Sequence, residues 1–480
     1  MEIKINKKDV VWGYITMAFN YGTGLFTLPF ILNMLSAEEV GMNYLMLTIS
    51  NLVILADFGF SQQFGRNLTY ILSGAQSLQK EGISGVKLGA INYQLVATLI
   101  KTAKFVYLRM SLLVLAGMLT LGTIYIYHVT QGFTNIPNSL FIWLLFSVST
   151  FFNFYYKYYT TLLTGSALMM EYNKSCIYSK IVYIAICVGM LFLGCGLMSI
   201  VVANFISPFV QRYYSYISFY TDEIKDGLRG QVVTAEDIRE MTSTLWFNAK
   251  KLGIIFVGQY GISQSGIFFS GLFLSLEEVA AYGLMMQLIN NILCSISKSL
   301  FNSISPLFSK DTINHDISQL IRHFSLGNFI FWCIFIVGSL MVIFVAPPVL
   351  DLIHSNSHLP STLVMLVFSI DALLDYNHAN FTYILTAQNR FPFVKADLIT
   401  GMAVVFINLA TLYFTDWGLL GLVLGRLCVM LAYNDWKWPS VICRELNDPI
   451  TIFVKVGYQE GKFSIEVQKS EGVSGLIIYT

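Results

Sequence analysis

The chain has 480 residues, of which 55% are hydrophobic and only 12% are charged. Soluble domains carry about 25% charged residues, so the composition predicts a membrane protein. The net charge is +1 and there is no long basic run, so the chain lacks the positive surface charge that binds nucleic acid, and nucleic-acid-binding proteins are excluded. The seven cysteines form no C-x-x-C pair and no histidine stands at metal-ligand spacing, so neither a metal site nor a cofactor is predicted.

Twelve apolar segments are long enough to cross a bilayer. They cover residues 10–35, 41–62, 105–128, 139–165, 177–195, 197–216, 252–274, 280–307, 325–347, 361–386, 397–415 and 417–435. We interpret the first as a retained helix, because no small-residue cleavage site marks it as a signal peptide. The predicted fold is an all-α polytopic membrane protein with about twelve transmembrane helices.

An internal repeat divides these segments into two sets of six. Ser-Ala-Glu-Glu-Val at residues 36–40 recurs as Ser-Leu-Glu-Glu-Val at 275–279, an offset of 275 − 36 = 239. Thr160, Leu163 and Thr164 recur later as Thr382, Leu385 and Thr386, at 386 − 164 = 222. Two homologous halves are typical of secondary transporters, and an even number of spans per half predicts a parallel repeat.

The repeat and the charge distribution predict the domain organisation. Lys and Arg occur only in alternate connections, which places these connections and both termini in the cytoplasm. We expect a six-helix bundle at 1–220, a cytoplasmic linker at 221–251, a second bundle at 252–436 and a cytoplasmic tail at 437–480. Alternating apolar residues at 450–456 and 463–467 predict a small hairpin in that tail.

Two charged residues fall near the middle of predicted spans. Asp371 lies ten residues into its span (371 − 361) and Arg426 nine (426 − 417), where a charge costs about 2.5–3.5 kcal/mol on insertion scales. Asp375 and His378 share the helix face of Asp371. These three acidic and imidazole groups are candidates for a proton-coupling site. The alternative is a structural ion pair between Asp371 and Arg426.

Other polar residues are candidates for substrate contact. Lys157 and Lys298 either extend towards the lipid headgroups or face a central cleft, where they would bind an anionic headgroup with Arg426 as the deeper contact. Rings and amides suit sugars, although aromatic residues at span ends also anchor helices at the interface. The candidate sugar contacts are Tyr155, Asn153, Tyr376 and Asn377. Without a G-x-x-x-x-G-K-[ST] motif, transport would depend on a gradient.

Residues 57–61 (Asp-Phe-Gly-Phe-Ser), 66–67, 72–76 (Leu-Ser-Gly-Ala-Gln) and 433–439 (Tyr-Asn-Asp-Trp-Lys-Trp-Pro) resemble a known family. They are similar to Wzx-type O-antigen and capsular polysaccharide flippases of the multidrug/oligosaccharidyl-lipid/polysaccharide exporter superfamily. Wzx proteins have no enzymatic activity. The resemblance implies a bacterial inner-membrane carrier that moves undecaprenyl-diphosphate-linked oligosaccharides from the cytoplasmic to the periplasmic leaflet by alternating access.

The resemblance also implies roles for particular residues and partners. Cationic residues would hold the headgroup, which adds Arg66 to Arg426, Lys157 and Lys298. Membrane lipid, a polysaccharide polymerase and a chain-length regulator are the implied partners besides the lipid-linked cargo. A cation-coupled multidrug exporter of the same superfamily is the main alternative, with Asp371 and Asp375 as its coupling site. A membrane-embedded polymerase would need a large outward loop, which the chain lacks.

Overall fold

The computed structural model describes residues 7–78, 83–86, 91–313, 316–387, 390, 392–446 and 455–459. Every predicted span lies on helical structure, which confirms the all-α polytopic fold class. Within these residues, eight helical segments are long and apolar enough to cross a membrane by length and composition. The other four predicted spans, 41–62, 197–216, 252–274 and 361–386, also coincide with helices. The sidedness of the termini stays a prediction.

The chain divides into two compact units. Unit 1 comprises residues 1–260 with 354–357, and unit 2 comprises 261–353 with 358–480. The short segment in unit 1 closes the end of its first helix, because Asn356 donates from its main chain to Leu32 O at 2.8 Å and from its side chain to Leu35 O at 2.9 Å. Carbonyl groups at a helix end have no partner within the helix, so this contact satisfies them.

Unit 1 contains ten helices, most of an eleventh and one hairpin among its described residues. The helices are α1 Lys7–Met34, α2 Ala37–Leu55, α3 Phe60–Leu72, α4 Tyr93–Gly117, α5 Thr123–Val129, α6 Ser139–Tyr155, α7 Tyr158–Gly165, α8 Met169–Phe192, α9 Met198–Phe219, α10 Asp222–Leu228 and α11 Ala235–Phe273. A π-helical turn, Met118–Gly122, joins α4 to α5. The boundary between the units falls within α11.

Unit 2 continues the helical architecture from the end of α11. Its helices are α12 Leu276–Met286, α13 Cys294–Ile313, α14 Ile317–Phe344, α15 Ala346–Leu352, α16 Thr362–Ala387, α17 Val394–Phe414, α18 Gly418–Ala432 and α19 Asn434–Glu445. A π-helical segment, Gln287–Leu293, joins α12 to α13. Helix α16 packs against α13, α14, α18 and α19, so it is the central helix of this unit. The buried hydrophobic core of unit 2 includes Phe301, Phe308, Phe324 and Phe381.

The second predicted span, 41–62, is wrong in its extent. Helix α2 ends at Leu55, and α3 begins at Phe60 after a turn in which Phe58 and Gly59 have φ of 44° and 77°. Asp57 stabilises the start of α3, because its Oδ2 accepts a hydrogen bond from Ser61 Oγ at 2.5 Å. The apolar composition of 41–62 conceals this break, since left-handed backbone leaves no mark on hydrophobicity.

The repeated sequence motif forms the same cap in both units. In unit 1, Ser36 N donates to Glu39 Oε2 at 3.0 Å and Glu39 N donates to Ser36 Oγ at 3.2 Å. In unit 2, the corresponding distances for Ser275 and Glu278 are 3.1 and 3.2 Å. This reciprocal arrangement is a capping box, which satisfies two main-chain donors at the helix start. The duplication therefore has a structural counterpart at α2 and α12.

One short hairpin interrupts the helical architecture. Strands β1 Ala75–Leu78 and β2 Ile83–Val86 pair antiparallel, with Ala75 opposite Val86 and Leu78 opposite Ile83. The sequence predicts no strand here, because these residues fall in the cytoplasmic connection between the predicted spans 41–62 and 105–128. The hairpin predicted in the tail lies mostly outside the described residues, and the described part, 455–459, is helical.

Candidate functional site

Arg426 and two aspartates form an ionic cluster within unit 2. Asp371 and Asp375 lie one helical turn apart on α16, facing Arg426 on α18. Arg426 Nη1 donates to Asp371 Oδ2, Nη2 donates to Asp375 Oδ2 at 2.6 Å, and Nε donates to Ile262 O at 3.1 Å. We call Asp371, Asp375 and Arg426 the carboxylate–arginine cluster.

The cluster is buried at one end and open at the other. Asp371 has no exposed surface, whereas 28% of the Asp375 side chain is exposed. Each guanidinium nitrogen of Arg426 already has a partner, and two carboxylates offset its single charge. The ion pair that the sequence left as one of two alternatives is present. The role of Arg426 as a headgroup contact stays a prediction, and here its charge is already balanced.

Further polar groups surround this cluster. His378 Nδ1 lies 3.9 Å from Asp375 Oδ1, beyond hydrogen-bond distance, and Asn434 Nδ2 donates to Asp397 Oδ1 at 3.3 Å. Both ring nitrogens of His378 and both carboxylate oxygens of Asp435 are buried without a hydrogen-bond partner. A buried ionised group without a partner is costly. These atoms therefore leave hydrogen-bonding capacity unused beside the cluster.

Sequence reasoning missed the contribution of Asp397 and Asp435 to this region. Each is at an end of a predicted span, 397–415 or 417–435, where an acidic residue normally reaches the interface. In the structure both are buried, with 7% and 6% of their surface exposed. Their positions relative to His378 depend on how α17 and α19 pack beside α16, which the order of residues does not reveal.

The predicted sugar contacts of unit 2 belong to an internal network. Asn377 Oδ1 accepts hydrogen bonds from Asn328 Nδ2 at 3.1 Å and from Trp332 Nε1 at 3.0 Å. Tyr376 lies beside Lys298, whose Nζ is 5.5 Å from the centre of the tyrosine ring. Lys298 therefore has an aromatic neighbour, and the amide oxygen of Asn377 is already occupied within the unit.

In unit 1, Lys157 is paired rather than free. Its Nζ lies 3.1 Å from Asp57 Oδ2, and Tyr107 donates its hydroxyl to Asp57 Oδ1 at 2.9 Å. Asp57 itself is 3% exposed. The sequence drew attention to Asp57 only through the family resemblance. The pairing joins residues separated by 100 positions in the chain.

The remaining candidates of unit 1 lie in two places. Arg66 is an exposed residue of α3 whose Nη2 donates to Gln63 Oε1 at 2.5 Å. Tyr155 lies in a row of aromatic side chains, 4.6 Å from Tyr156 between ring centres. Asn153 is exposed, and its Oδ1 accepts a hydrogen bond from Arg212 Nη2 at 2.5 Å. Arg212, on α9, was not among the candidates, because its position near a span end indicated an interfacial charge.

The structure thus brings the candidates into separate groups. Asp371, Asp375, Arg426 and His378 lie together in unit 2, with Lys298 and Tyr376 near Asp375 and with Asn377 bonded to Asn328 and Trp332. In unit 1, Asn153 joins Arg212, whereas Lys157 joins Asp57. Among the described residues, no group of three or more His, Cys, Asp or Glu side chains is arranged to hold a metal ion.

Comparison with known proteins identifies the fold. No protein-family model and no curated protein sequence matches the chain. Among solved structures, it is similar to an inward-facing MATE-family multidrug resistance transporter of the MOP superfamily, with a TM-score of 0.62 and 12% identity, over 92% of this chain and 99% of that one. It is also similar to the lipid II flippase MurJ in an inward closed conformation, with a TM-score of 0.59 and 12% identity, over 97% and 94%.

A third structure, an outward-facing MATE-family transporter of the same superfamily, is similar with a TM-score of 0.53 and 11% identity, over 92% of this chain and 96% of that one. Structural similarity at such low sequence identity shows the fold of this chain and does not show its cargo. The chain is a multi-pass membrane protein with the fold of MOP-superfamily transporters and of a lipid flippase.

Proposed function

We propose that this protein is a flippase that carries undecaprenyl-diphosphate-linked oligosaccharide units from the cytoplasmic to the periplasmic leaflet of a bacterial inner membrane. The observation that carries the proposal is its likeness to a lipid II flippase over 97% of the chain. The resemblance of residues 57–76 and 433–439 to Wzx-type flippases supports the same cargo class. As a carrier, it would neither make nor break a covalent bond in its cargo.

The proposed cycle is alternating access between the bundles at 1–220 and 252–436, with both termini and residues 221–251 in the cytoplasm. A polysaccharide polymerase and a chain-length regulator would use the delivered units. For the coupling step we favour Asp371, Asp375 and His378. Two geometric observations support this choice: Asp375 is partly exposed, and His378 Nδ1 lies 3.9 Å from Asp375 Oδ1.

A cation-coupled multidrug exporter is the second candidate. The observation that favours it is the excess of acidic groups in the described part of unit 2, where the aspartates Asp371, Asp375, Asp397 and Asp435 outnumber the nearby cations Arg426 and Lys298. An acidic interior suits organic cations rather than diphosphates. The two candidates therefore predict opposite charge preferences for the cargo.

Deletion of the gene tests the two candidates. A flippase predicts loss of surface polysaccharide and accumulation of lipid-linked units at the cytoplasmic leaflet, both restored by the wild-type gene. Asp371→Asn should restore them poorly if coupling passes through the cluster, with Asp351→Asn, an exposed residue of α15, as the matched control. Normal surface polysaccharide combined with hypersensitivity to cationic drugs would reject the flippase and support the exporter.

A further inference from the structure

Two arginines are buried in the described residues, and only one has an acidic partner. Arg426 in unit 2 is 7% exposed and contacts two aspartates. Arg212 in unit 1 is 8% exposed, and no carboxylate of the described chain lies within ion-pair distance of it. A buried cation without a counter-charge is costly, so its retention needs a reason.

The surroundings of Arg212 satisfy only part of the hydrogen-bonding capacity of its guanidinium group. The group contacts two adjoining rings, 5.0 Å from the centre of Tyr156 and 4.6 Å from that of Phe209. Rings offset part of the charge through their faces but accept no in-plane hydrogen bond. Nη2 donates to Asn153 Oδ1, whereas Nη1 is buried with no partner. We call Arg212, Asn153, Tyr156 and Phe209 the Arg212 site.

Asn153 is the removable part of this arrangement. Its side chain is exposed, and its Nδ2 makes only long contacts, 3.3 Å to Ser149 Oγ and 3.5 Å to Asn204 O. Contacts of this length are weak. A charged oxyanion is a stronger acceptor for a guanidinium than a neutral amide oxygen. If Asn153 rotates away, Nη2 loses its protein acceptor and forms a two-pronged donor together with the unpartnered Nη1.

We propose that the Arg212 site binds a phosphate or phosphoester oxyanion, with Nη1 and Nη2 each donating to one of its oxygen atoms. The fork matches two phosphate oxygens, and the contacts with Tyr156 and Phe209 offset part of the charge of the guanidinium while no phosphate is bound. Resting on the proposed function, the physiological ligand is the diphosphate of the lipid-linked cargo. A phospholipid headgroup offers the same chemistry, so the test separates these sources.

The experiment uses the full chain in phosphate-free maltoside micelles, with inorganic diphosphate as the probe and calorimetric binding plus thermal stability as readouts. Wild-type protein should bind and gain thermal stability, because a ligand stabilises the state that binds it. Arg212→Gln should lose binding. Arg212→Lys keeps the charge without the fork and should bind about tenfold more weakly, which corresponds to about 1.4 kcal/mol. Arg239→Gln, on the exposed start of α11, is the matched control and should bind as wild type.

Asn153→Ala gives a result that a merely structural Arg212 would not produce. It removes the competing amide, so diphosphate binding should be retained or strengthened even if the free protein becomes less stable. Should Arg212→Gln fail to fold, the Arg212→Lys and Asn153→Ala pair still decides the question. Equal binding by wild type and Arg212→Lys, or no binding by wild type, would overturn the proposal.

A second arm identifies the source of the anion. Adding phosphatidylglycerol to these phosphate-free micelles should weaken diphosphate binding in wild type if bilayer headgroups occupy the site. Unchanged binding instead assigns the site to cargo or soluble phosphate. These outcomes do not depend on the deletion phenotype. A deletion strain with normal surface polysaccharide would remove the proposed cargo and leave the anion site in place.

Discussion

The two units differ most where their repeated helices carry polar side chains. Ser149, Asn153 and Asn204 of unit 1 lie 222 residues before Asp371, Asp375 and Arg426 of unit 2, the offset of the repeated threonines (386 − 164). In unit 1, Ser149 Oγ donates to the main-chain oxygen of Asn204 at 3.3 Å. At the equivalent place in unit 2, the guanidinium of Arg426 contacts both carboxylates.

This comparison shows that one scaffold carries opposite charges in its two copies. The fourth-span position that is Asn153 in unit 1 and Asp375 in unit 2 accepts a hydrogen bond from an arginine in both. The donors differ, because Arg212 occupies the position of Asn434 and Arg426 that of Asn204, two helical turns apart. A neutral acceptor leaves Arg212 positively charged overall, whereas two carboxylates make the other cluster acidic. The duplication therefore preserved helix packing while the chemistry diverged.

Arg426→Met should have the largest effect on this comparison. It leaves Asp371 buried without a counter-charge, so the free energy of unfolding should fall by about 3–5 kcal/mol. Denaturant unfolding in mixed micelles measures it. Asn204→Ala at the equivalent position is the control, since only the main chain of Asn204 is used there, and it should change the value by less than about 0.5 kcal/mol. Similar losses in both variants would show that the equivalence is wrong.

Asp57→Asn should have the next largest effect, within unit 1. It weakens the contacts with Lys157, Tyr107 and Ser61, and hydrogen bonds to a charged group contribute about 1.5–3 kcal/mol. Lys157→Met should cost less in the same unfolding measurement, because Asp57 keeps two hydroxyl donors and 30% of the Lys157 side chain is exposed. A larger loss for Lys157→Met would contradict this order.

Two equivalent glycines test how far the repeat extends. Gly196 lies two residues before α9 and Gly418 is the first residue of α18, and their φ angles are 56° and 52°, where a side chain costs about 1–2 kcal/mol. Alanine at 196 should be the more damaging, because its Cβ would lie 2.5 Å from Glu39 Oε1, against 3.8 Å from Glu278 Oε1 at 418. Thermal unfolding of both variants compares them, and equal midpoints would refute the difference.

The smallest effect is expected at the capping boxes. Ser36→Ala and Ser275→Ala each remove an N-cap side chain, which should cost about 1 kcal/mol. Because the two caps have nearly equal distances, the two losses should agree within about 0.5 kcal/mol in the same assay. Ser36→Thr and Ser275→Thr, which retain the hydroxyl, are the controls. A marked inequality would mean that the caps are alike in geometry but not in energy.

The class of protein, the helical fold and the duplication could all be predicted from the amino-acid sequence. These features depend on composition and on short-range patterns, such as uninterrupted apolar segments and the Ser-x-x-Glu spacing of a cap. Burial of Asp371 and Arg426 was also readable, since charged residues near the middle of a span avoid lipid. Each of these inferences needs only the position of a residue along its own helix.

Which charged side chains have a counter-charge depends on the packing of the helices. Lys157 pairs with Asp57 across 100 residues, Arg426 lies between two aspartates, and Arg212 meets only an amide and two rings. Such pairings depend on how helices rotate and cross, and each residue along a helix turns the side chain by about 100°. Apolar sequence constrains that rotation weakly. The sequence therefore placed charges in the membrane, and helix packing determined their partners.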